Sequence, residues 1–449
     1  MNKFAVFIFS LSLFLSSISI SSTCLAFSYD YDNDDDLDEA SLNYLCAWVS
    51  LASYGDRVGL AARGELSSLG FDMVPYREET EKVSAKYFLV RKFTNEGMRL
   101  LLSVTGTSGM KDLRNDASIA KVPFGGTTPR EFERAARKKE MTSKEPLVHR
   151  GFNNYTQEAF FTNAVNGVTI GESIRDTLIN DPTAKISITG HSLGGAVAIL
   201  FAARLIDMGV PSEQINVVTF GAPAVGNESF CTAYKDMHLT RIVMSGDPVA
   251  SLLPALGAGY AELGEKIVLH PKTPPRFQHE MVLYLDMLMR DYITGGFTSS
   301  FIPVDDESSS PEIYLITTVD FDDTIAQDAQ YVNLASINVL RRELPPIHVG
   351  ELPDGLMTGD VMTTICAEAR ALGCKYVILQ AYEGKRIKDK KNVYKISLDE
   401  MIVTSDGRPL TVNLYTTSTD DMTPIIAAIY DEICAKESRE KALGLGKDE

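Results

Sequence analysis

Residues Ile186 to Ala196 read I-S-I-T-G-H-S-L-G-G-A, an apolar run followed by Gly190-x-Ser192-x-Gly194 and the start of a helical pattern. A serine on a sharp strand-to-helix turn presents its hydroxyl outward, and glycine on either side leaves room for the bend, so Gly190 and Gly194 are the elbow glycines of this pattern. A serine hydroxyl is a weak nucleophile until a base takes its proton and an acid orients that base. In this architecture the chain order is Ser, then Asp or Glu, then His. Of the six histidines, His149 precedes the serine, His191 lies inside the bend, His238 precedes the best acid, and His348 lies beyond a linker. His270 and His279 remain. Asp247 stands in Ser245-Gly246-Asp247-Pro248 after an apolar run, with Asp236 and Glu262 as rivals. Loops at strand C-terminal ends are where α/β proteins place their sites. His279 is favoured over His270 because it sits just before Met281-Val282-Leu283 and Leu285, where a loop-to-helix junction aims a ring outward. The chemistry expected is acyl transfer, with Ser192 as nucleophile, His279 as base and Asp247 as the orienting acid. An oxyanion then needs two donors, and the N–H of Leu193, next after the nucleophile, supplies one.

Positioning these groups requires a sheet with helices on it. Strands are expected at Tyr87–Phe93, Leu100–Thr105, Ile186–Thr189, Ile215–Phe220, Thr240–Met244 and Lys266–His270, and helices at Ala40–Tyr54, Thr156–Asn180, Leu193–Met208 and Glu280–Ile293. Short apolar strands alternating with helical patterns predict a largely parallel α/β sheet covered on both faces. A polar run from 301 to 311 marks a linker, and residues 312–449 form a second, smaller mixed α/β domain: strand Ile313–Val319, helix Asp360–Leu372, strand Lys375–Tyr382, a hairpin through Asp406-Gly407, and a last helix from Thr423 to about Glu437. No catalytic constellation falls in that second domain.

Taken together the motifs resemble the class 3 (fungal-type) lipase family. The elbow from Gly190 to Ala196 matches it, as does the order Ser192, Asp247, His279. Val104-Thr105-Gly106-Thr107, with Asp112 and Asp116 downstream, stands where the family has F-R-G-T and D-W-x-x-D. Val148 to Phe152, Thr219 to Asn227 (T-F-G-x-P-x-V-G-N) and Arg241 to Pro248 (R-I-V-x-x-x-D-P) follow in the family's order, so the match spans about Ala40 to Ile293. Thr105 replaces the usual Arg, Leu113 the usual Trp and Ala224 a frequent Arg. The resemblance implies an α/β-hydrolase fold over residues 40–300 and hydrolysis of acylglycerol or related esters through an acyl-enzyme. It makes Thr107 the second oxyanion donor and puts a lid between Ser118 and Pro146. The helix expected there, capped by Thr128 with Pro129 and Glu131, carries Phe132 and two alanines among charges, a thin apolar face that predicts weak interfacial activation. Phospholipase A or acyltransferase chemistry would use the same residues. A lipase-like shell that binds without turnover is the rival from another class.

The remaining features bound the setting. Met1-Asn2-Lys3 precedes an uncharged apolar stretch from Phe4 to Ile20, a signal-peptide pattern with cleavage expected after Ala26, and hence a secreted or periplasmic protein. An acidic leader, 27–39, follows. It does not make an EF-hand loop, because Asp35 and Ser41 stand where Gly and Glu are required. Neither a metal nor a cofactor is expected. With 60 Asp+Glu against 43 Lys+Arg, and so a net charge of −17, nucleic acid is excluded as a partner. The expected partner is a lipid or small ester, met at most through a transient lipid interface. Six cysteines are too few for a disulfide framework in a chain of 449 residues.

Overall fold

The computed structural model describes residues 39–68, 71–79, 84–94, 97–106, 120–162, 164–165, 168–251, 253, 259–271, 278–294, 310–353 and 358–445. The signal segment, nearly all of the acidic leader, most of the expected linker and Thr107 lie outside the described residues. The chain divides into two compact units, Tyr31–Met289 and Arg290–Glu449.

The first unit opens with helices α1 (Glu39–Ala52) and α2 (Arg57–Ser68), then the strands β1 (Asp72–Glu79), β2 (Ser84–Thr94) and β3 (Gly97–Val104). After β4 (Lys121–Pro123) come α3 (Pro129–Ala136), β5 (Leu147–His149), α4 (Arg150–Phe161), β6 (Ala164–Val165), β7 (Val168–Thr169) and α5 (Ile170–Asn180). The remainder is β8 (Lys185–His191), α6 (Leu193–Asp207), β9 (Ile215–Phe220), α7 (Glu228–Ala233), β10 (His238–Met244), β11 (Glu265–Leu269) and α8 (Met281–Thr294). Seven strands form one sheet in the order β1-β2-β3-β8-β9-β10-β11. β1, β2 and β3 pair antiparallel, and every pairing from β3 to β11 is parallel. This is the expected parallel α/β sheet, and with its glycine-flanked serine turn between β8 and α6 it is an α/β-hydrolase sheet. The central strand β8 is buried on both faces, as parallel strands are. α6 is buried on every side from Leu193 to Leu205, so it reads as apolar throughout instead of as an amphipathic stripe.

The long helix expected over 156–180 is two helices. β6 and β7 pair between them, Ala164 with Thr169 and Val165 with Val168, flanking the sequence Asn166-Gly167, the strongest short hairpin signal. α5 then starts afresh with a full capping box, the Thr169 hydroxyl accepting from the Glu172 N–H and the Glu172 side chain reaching back to the Thr169 N–H. Other elements of this unit were not expected either: the short β4, β5 and α7, and the longer β1 and α2. β1 contains Pro75, which argues against a strand, yet an edge strand tolerates the missing donor. α2 carries Gly59 and Gly64, which lower helix propensity.

The second unit holds β12 (Ile313–Phe321), α9 (Ala329–Glu343), β13 (Ile347–Val349), α10 (Thr358–Ala371), β14 (Tyr376–Arg386), β15 (Tyr394–Thr404), β16 (Pro409–Ser418) and α11 (Pro424–Leu443). The strand order is β13-β12-β14-β15-β16, parallel across the first three and antiparallel beyond. α9 and β13 were not expected, and α11 runs six residues past its expected end, to Leu443. Alternate residues of β12 and β14 feed different cores, Tyr314, Ile316, Val377 and Leu379 on one face and Ile313, Leu315 and Ile378 on the other. A charged knot is buried here. Arg439 bonds Glu400 at 2.8 Å and Glu432 at 2.5 Å, and Tyr382, Ser336 and Gln380 also donate to Glu432. Cys46, Cys231, Cys366, Cys374 and Cys434 are all free thiols.

Candidate active site

The elbow is built by its neighbours. β8 ends at His191, and Ser192 takes φ 59°, ψ −126°, a backbone region that a non-glycine residue occupies at a cost of about 1–3 kcal/mol. The Ser192 N–H holds the turn by donating to the Phe220 carbonyl at 2.9 Å. A Cβ on Gly190 would lie 2.5 Å from the Gly194 carbonyl carbon, and one on Gly194 would lie 2.0 Å from the Val104 carbonyl oxygen. Glycine at 194 therefore lets α6 start hard against the end of β3. A serine before a helix ordinarily caps it, but Ser192 makes no such side-chain bond. Its hydroxyl instead meets His279 Nε2 at 2.8 Å.

His279 and Asp247 complete a chain of bonds. His279 Nδ1 lies 2.8 Å from Asp247 Oδ2. Asp247 follows β10 and is held from three sides, since its Oδ2 also accepts from the Tyr284 hydroxyl at 2.5 Å and its Oδ1 from the Val249 N–H at 2.8 Å. Tyr284 projects from α8 and itself accepts from the Met244 N–H at 3.0 Å, so strand end, carboxylate and helix are tied together. Burial works to raise the Asp247 pKa, but the bonds and charge of His279, with Tyr284 and Val249, outweigh it and hold the carboxyl below its usual value. The carboxylate is thus ionised beside an imidazole whose Nδ1 must carry a proton to reach it, which leaves Nε2 free to accept from Ser192. Ser192, His279 and Asp247 are all buried, at 2%, 5% and 4% exposure.

Of the residues singled out from sequence, Ser192, His279 and Asp247 are brought together, Gly190 and Gly194 flank the turn, and the Leu193 N–H opens α6 at the positive end of its dipole. Thr107 lies outside the described residues, although Gly106 before it sits close enough that a Cβ there would be 3.4 Å from Ser192 Cβ. The rivals lie elsewhere: His270, Asp236 and His238 are exposed, while Glu262 pairs with Arg241 at 3.4 Å and Lys266 at 3.2 Å. His149 caps α4, accepting from the Phe152 N–H.

Sequence reasoning missed two neighbours. Tyr54, just past α1, bonds His191 Nδ1 at 2.8 Å, and His191 Nε2 lies 2.6 Å from the His279 carbonyl. No local signal marks Tyr54, which meets His191 across 137 residues. The helix expected in the lid also behaves differently from a loose cover. In α3, Phe132 is fully buried against Phe161, and the Arg204 guanidinium lies 3.9 Å from its ring and 3.6 Å from that of Phe124. Arg204 also bonds Asn153 Oδ1 and the Gly125 carbonyl. The thin apolar face of α3 is therefore used on the core.

The sequence itself carries known relationships over this region. Residues 101–257 match the family model described as Lipase (class 3). A lipase of Caenorhabditis elegans is 49% identical over 70 residues, covering 15% of this chain and 20% of the relative. A secreted mono- and diacylglycerol lipase of Fusarium solani is 37% identical over 109 residues, 24% and 30% of the two chains, and a phospholipase A1 of Oryza sativa subsp. indica is 27% identical over 220 residues, 43% and 52%. The chain thus spans from a fifth to about half of the length of these curated relatives. Among solved structures, the triacylglyceride lipase of Rhizomucor miehei aligns with TM-score 0.39 and 20% identity over 51% of this chain and 78% of its own. Residues 101–257, the stretch that contains both the elbow serine and Asp247, are thus similar in sequence to class 3 lipases, and they lie on an α/β-hydrolase sheet.

Proposed function

We propose that the chain is an exported serine carboxylester hydrolase that cleaves acyl esters of glycerol or phospholipid. The observation that carries the reading is the unbroken bond series from Ser192 Oγ through the His279 ring to Asp247, at 2.8 Å on each side of the imidazole, set on a strained elbow. Ser192 Oγ attacks the ester carbonyl as its proton passes to His279 Nε2, and the imidazolium is steadied by Asp247. The alkoxide oxygen that forms is held by the Leu193 N–H and, as the lipase resemblance implies, by the Thr107 N–H. His279 returns the proton to the leaving alcohol, and a water then takes the same path in reverse to release the acid and free Ser192.

The relatives support a lipid ester in two forms, acylglycerol and the phospholipid sn-1 ester. The polar exterior of α3 supports substrates taken without a large lipid-opened lid. Export rests on the Phe4–Ile20 segment and on the secreted Fusarium relative. Among the described residues no helix is long and apolar enough to cross a membrane. N-terminal sequencing of protein recovered outside the cell should begin at Phe27.

The test is Ser192→Ala. Hydrolysis of nitrophenyl esters should fall to background in a protein that unfolds at the parent temperature. Undiminished hydrolysis by the folded variant would end the reading, including its acyltransferase form, whereas a parent that hydrolyses no ester would favour the non-catalytic shell.

A further inference from the structure

A second chain of hydrogen bonds meets the first at the His279 carbonyl. His191 is neutral and buried among rings, those of His279 at 4.6 Å and Tyr284 at 6.0 Å. Its Nε2 faces the His279 carbonyl, which can only accept, so Nε2 carries the ring proton and Nδ1 accepts from the Tyr54 hydroxyl. The Tyr54 oxygen in turn accepts the Gly106 N–H. Burial, aided by the neighbouring His279, holds His191 down to about 3, in keeping with a ring that never charges at neutral pH.

Tyr54 is itself anchored on several sides. The Ser50 hydroxyl of α1 bonds Thr189 of β8 at 2.9 Å, and Thr105 at the end of β3 donates to the Ser53 carbonyl at 3.1 Å. Arg63 of α2 closes the end of α1 through the Ala52 and Tyr54 carbonyls at 3.0 and 2.8 Å. α2 can approach because it places Gly59 there, where a Cβ would lie 2.0 Å from the Tyr54 carbonyl oxygen. One hydroxyl thus reaches the strand end that leads into Thr107, the residue before the nucleophile, and through it the backbone of the base.

We infer that Tyr54 and His191 are positioning residues, a rear brace that fixes the His279 backbone and the Gly106 end of β3 relative to Ser192. The inference rests on the Ser192 reading above. Without the brace the His279 carbonyl loses its donor and the ring drifts from the serine, and a shift of about 1 Å at a reacting group costs on the order of a hundredfold in rate. The brace touches no substrate, so its loss acts on turnover and leaves substrate affinity alone.

The test measures kcat and KM for a short nitrophenyl ester, with active sites counted by fluorophosphonate titration so that misfolded protein drops out. His191→Leu should lower kcat per titrated site about 30-fold and Tyr54→Phe about tenfold, each with KM changed by less than about twofold. His191→Gln, whose amide N–H can still reach the His279 carbonyl, should recover most of the loss. Tyr54→Phe in the His191→Leu background should add almost nothing, since the two act as one unit. If His191→Leu fails to fold, Tyr54→Phe and His191→Gln carry the test. Unchanged kcat per titrated site in Tyr54→Phe, or equal losses in His191→Gln and His191→Leu, would overturn the brace while leaving Ser192 as nucleophile. Activity surviving Ser192→Ala would instead remove the reading beneath it.

Discussion

Replacing Asp247 with asparagine separates the carboxylate's charge and acceptor role from its shape. Asp247 Oδ1 accepts the Val249 N–H, and Oδ2 accepts from both His279 Nδ1 and the Tyr284 hydroxyl. An amide NH2 placed at Oδ1 would oppose the Val249 N–H donor to donor, and a backbone amide cannot turn away. Placed at Oδ2 it meets a hydroxyl that can rotate to accept and an imidazole that can change tautomer. The second orientation wins, and the new amide donates to His279 Nδ1. The ring proton is then forced onto Nε2, the atom that must accept from Ser192. In serine hydrolysis this tautomer error costs about 10⁴ in kcat, or about 5 kcal/mol at 1.36 kcal/mol per tenfold. The assay is kcat on a soluble ester at about pH 7.5, with the unfolding temperature as control. An Asp247→Asn variant that is folded and turns over within about tenfold of the parent would refute the assignment of roles to these three side chains.

Tyr284→Phe removes only one of the three donors to Asp247, so a loss of about tenfold in kcat is expected, well short of the Asp247→Asn effect. Phe132→Ala should destabilise the first unit by about 3–5 kcal/mol in urea unfolding, and the parent should show no jump in rate when ester is raised past its solubility limit, because α3 is fastened to the core. Acid stability has a defined sign at His191: the folded ring titrates at about 3 and the free one at 6.5, so the unfolded chain binds more protons between these values and stability falls as pH drops through that window. His191→Gln should flatten that fall in a melting-temperature series. In the second unit, Arg439→Met strands Glu400 and Glu432 in the core and should cost about 3–5 kcal/mol. Burial raises the Glu400 pKa, so Glu400→Gln should remove stability that the parent gains on mild acidification and make the unit's unfolding less dependent on pH.

What could be read from the chain followed from how local the physics is. The elbow is local: glycine, serine and glycine after an apolar strand have few other uses, and β8 and α6 form on either side of it. Asp247 and His279 were reachable because they sit at a strand end and a loop-to-helix junction, places where topology puts side chains beside the elbow. Tyr54 was not reachable, because its role depends on α1 being laid against β8 by Ser50 and Thr189, a contact with no trace in either segment alone. The 156–180 helix failed for a different reason. Its apolar spacing was helical on both sides, but Asn166-Gly167 and the Thr169–Glu172 box are local signals that override a periodic run. β1 and α2 were hidden by Pro75 and by Gly59, residues that weaken propensity at places where edge position or close helix approach makes them tolerable. The buried Arg439 knot was equally silent, since its charges come from β15 and α11 and read in sequence as solvated positions.

The claim on which the rest depends is that Ser192 is the acyl acceptor. Mass spectrometry after brief exposure to a fluorophosphonate, with peptides mapped across the whole chain, tests it in one step. The account predicts a single stoichiometric adduct on the peptide carrying Ser192, absent after heat unfolding and absent in Ser192→Ala. An unmodified Ser192 in protein that still hydrolyses esters, or the adduct on another residue, would contradict it.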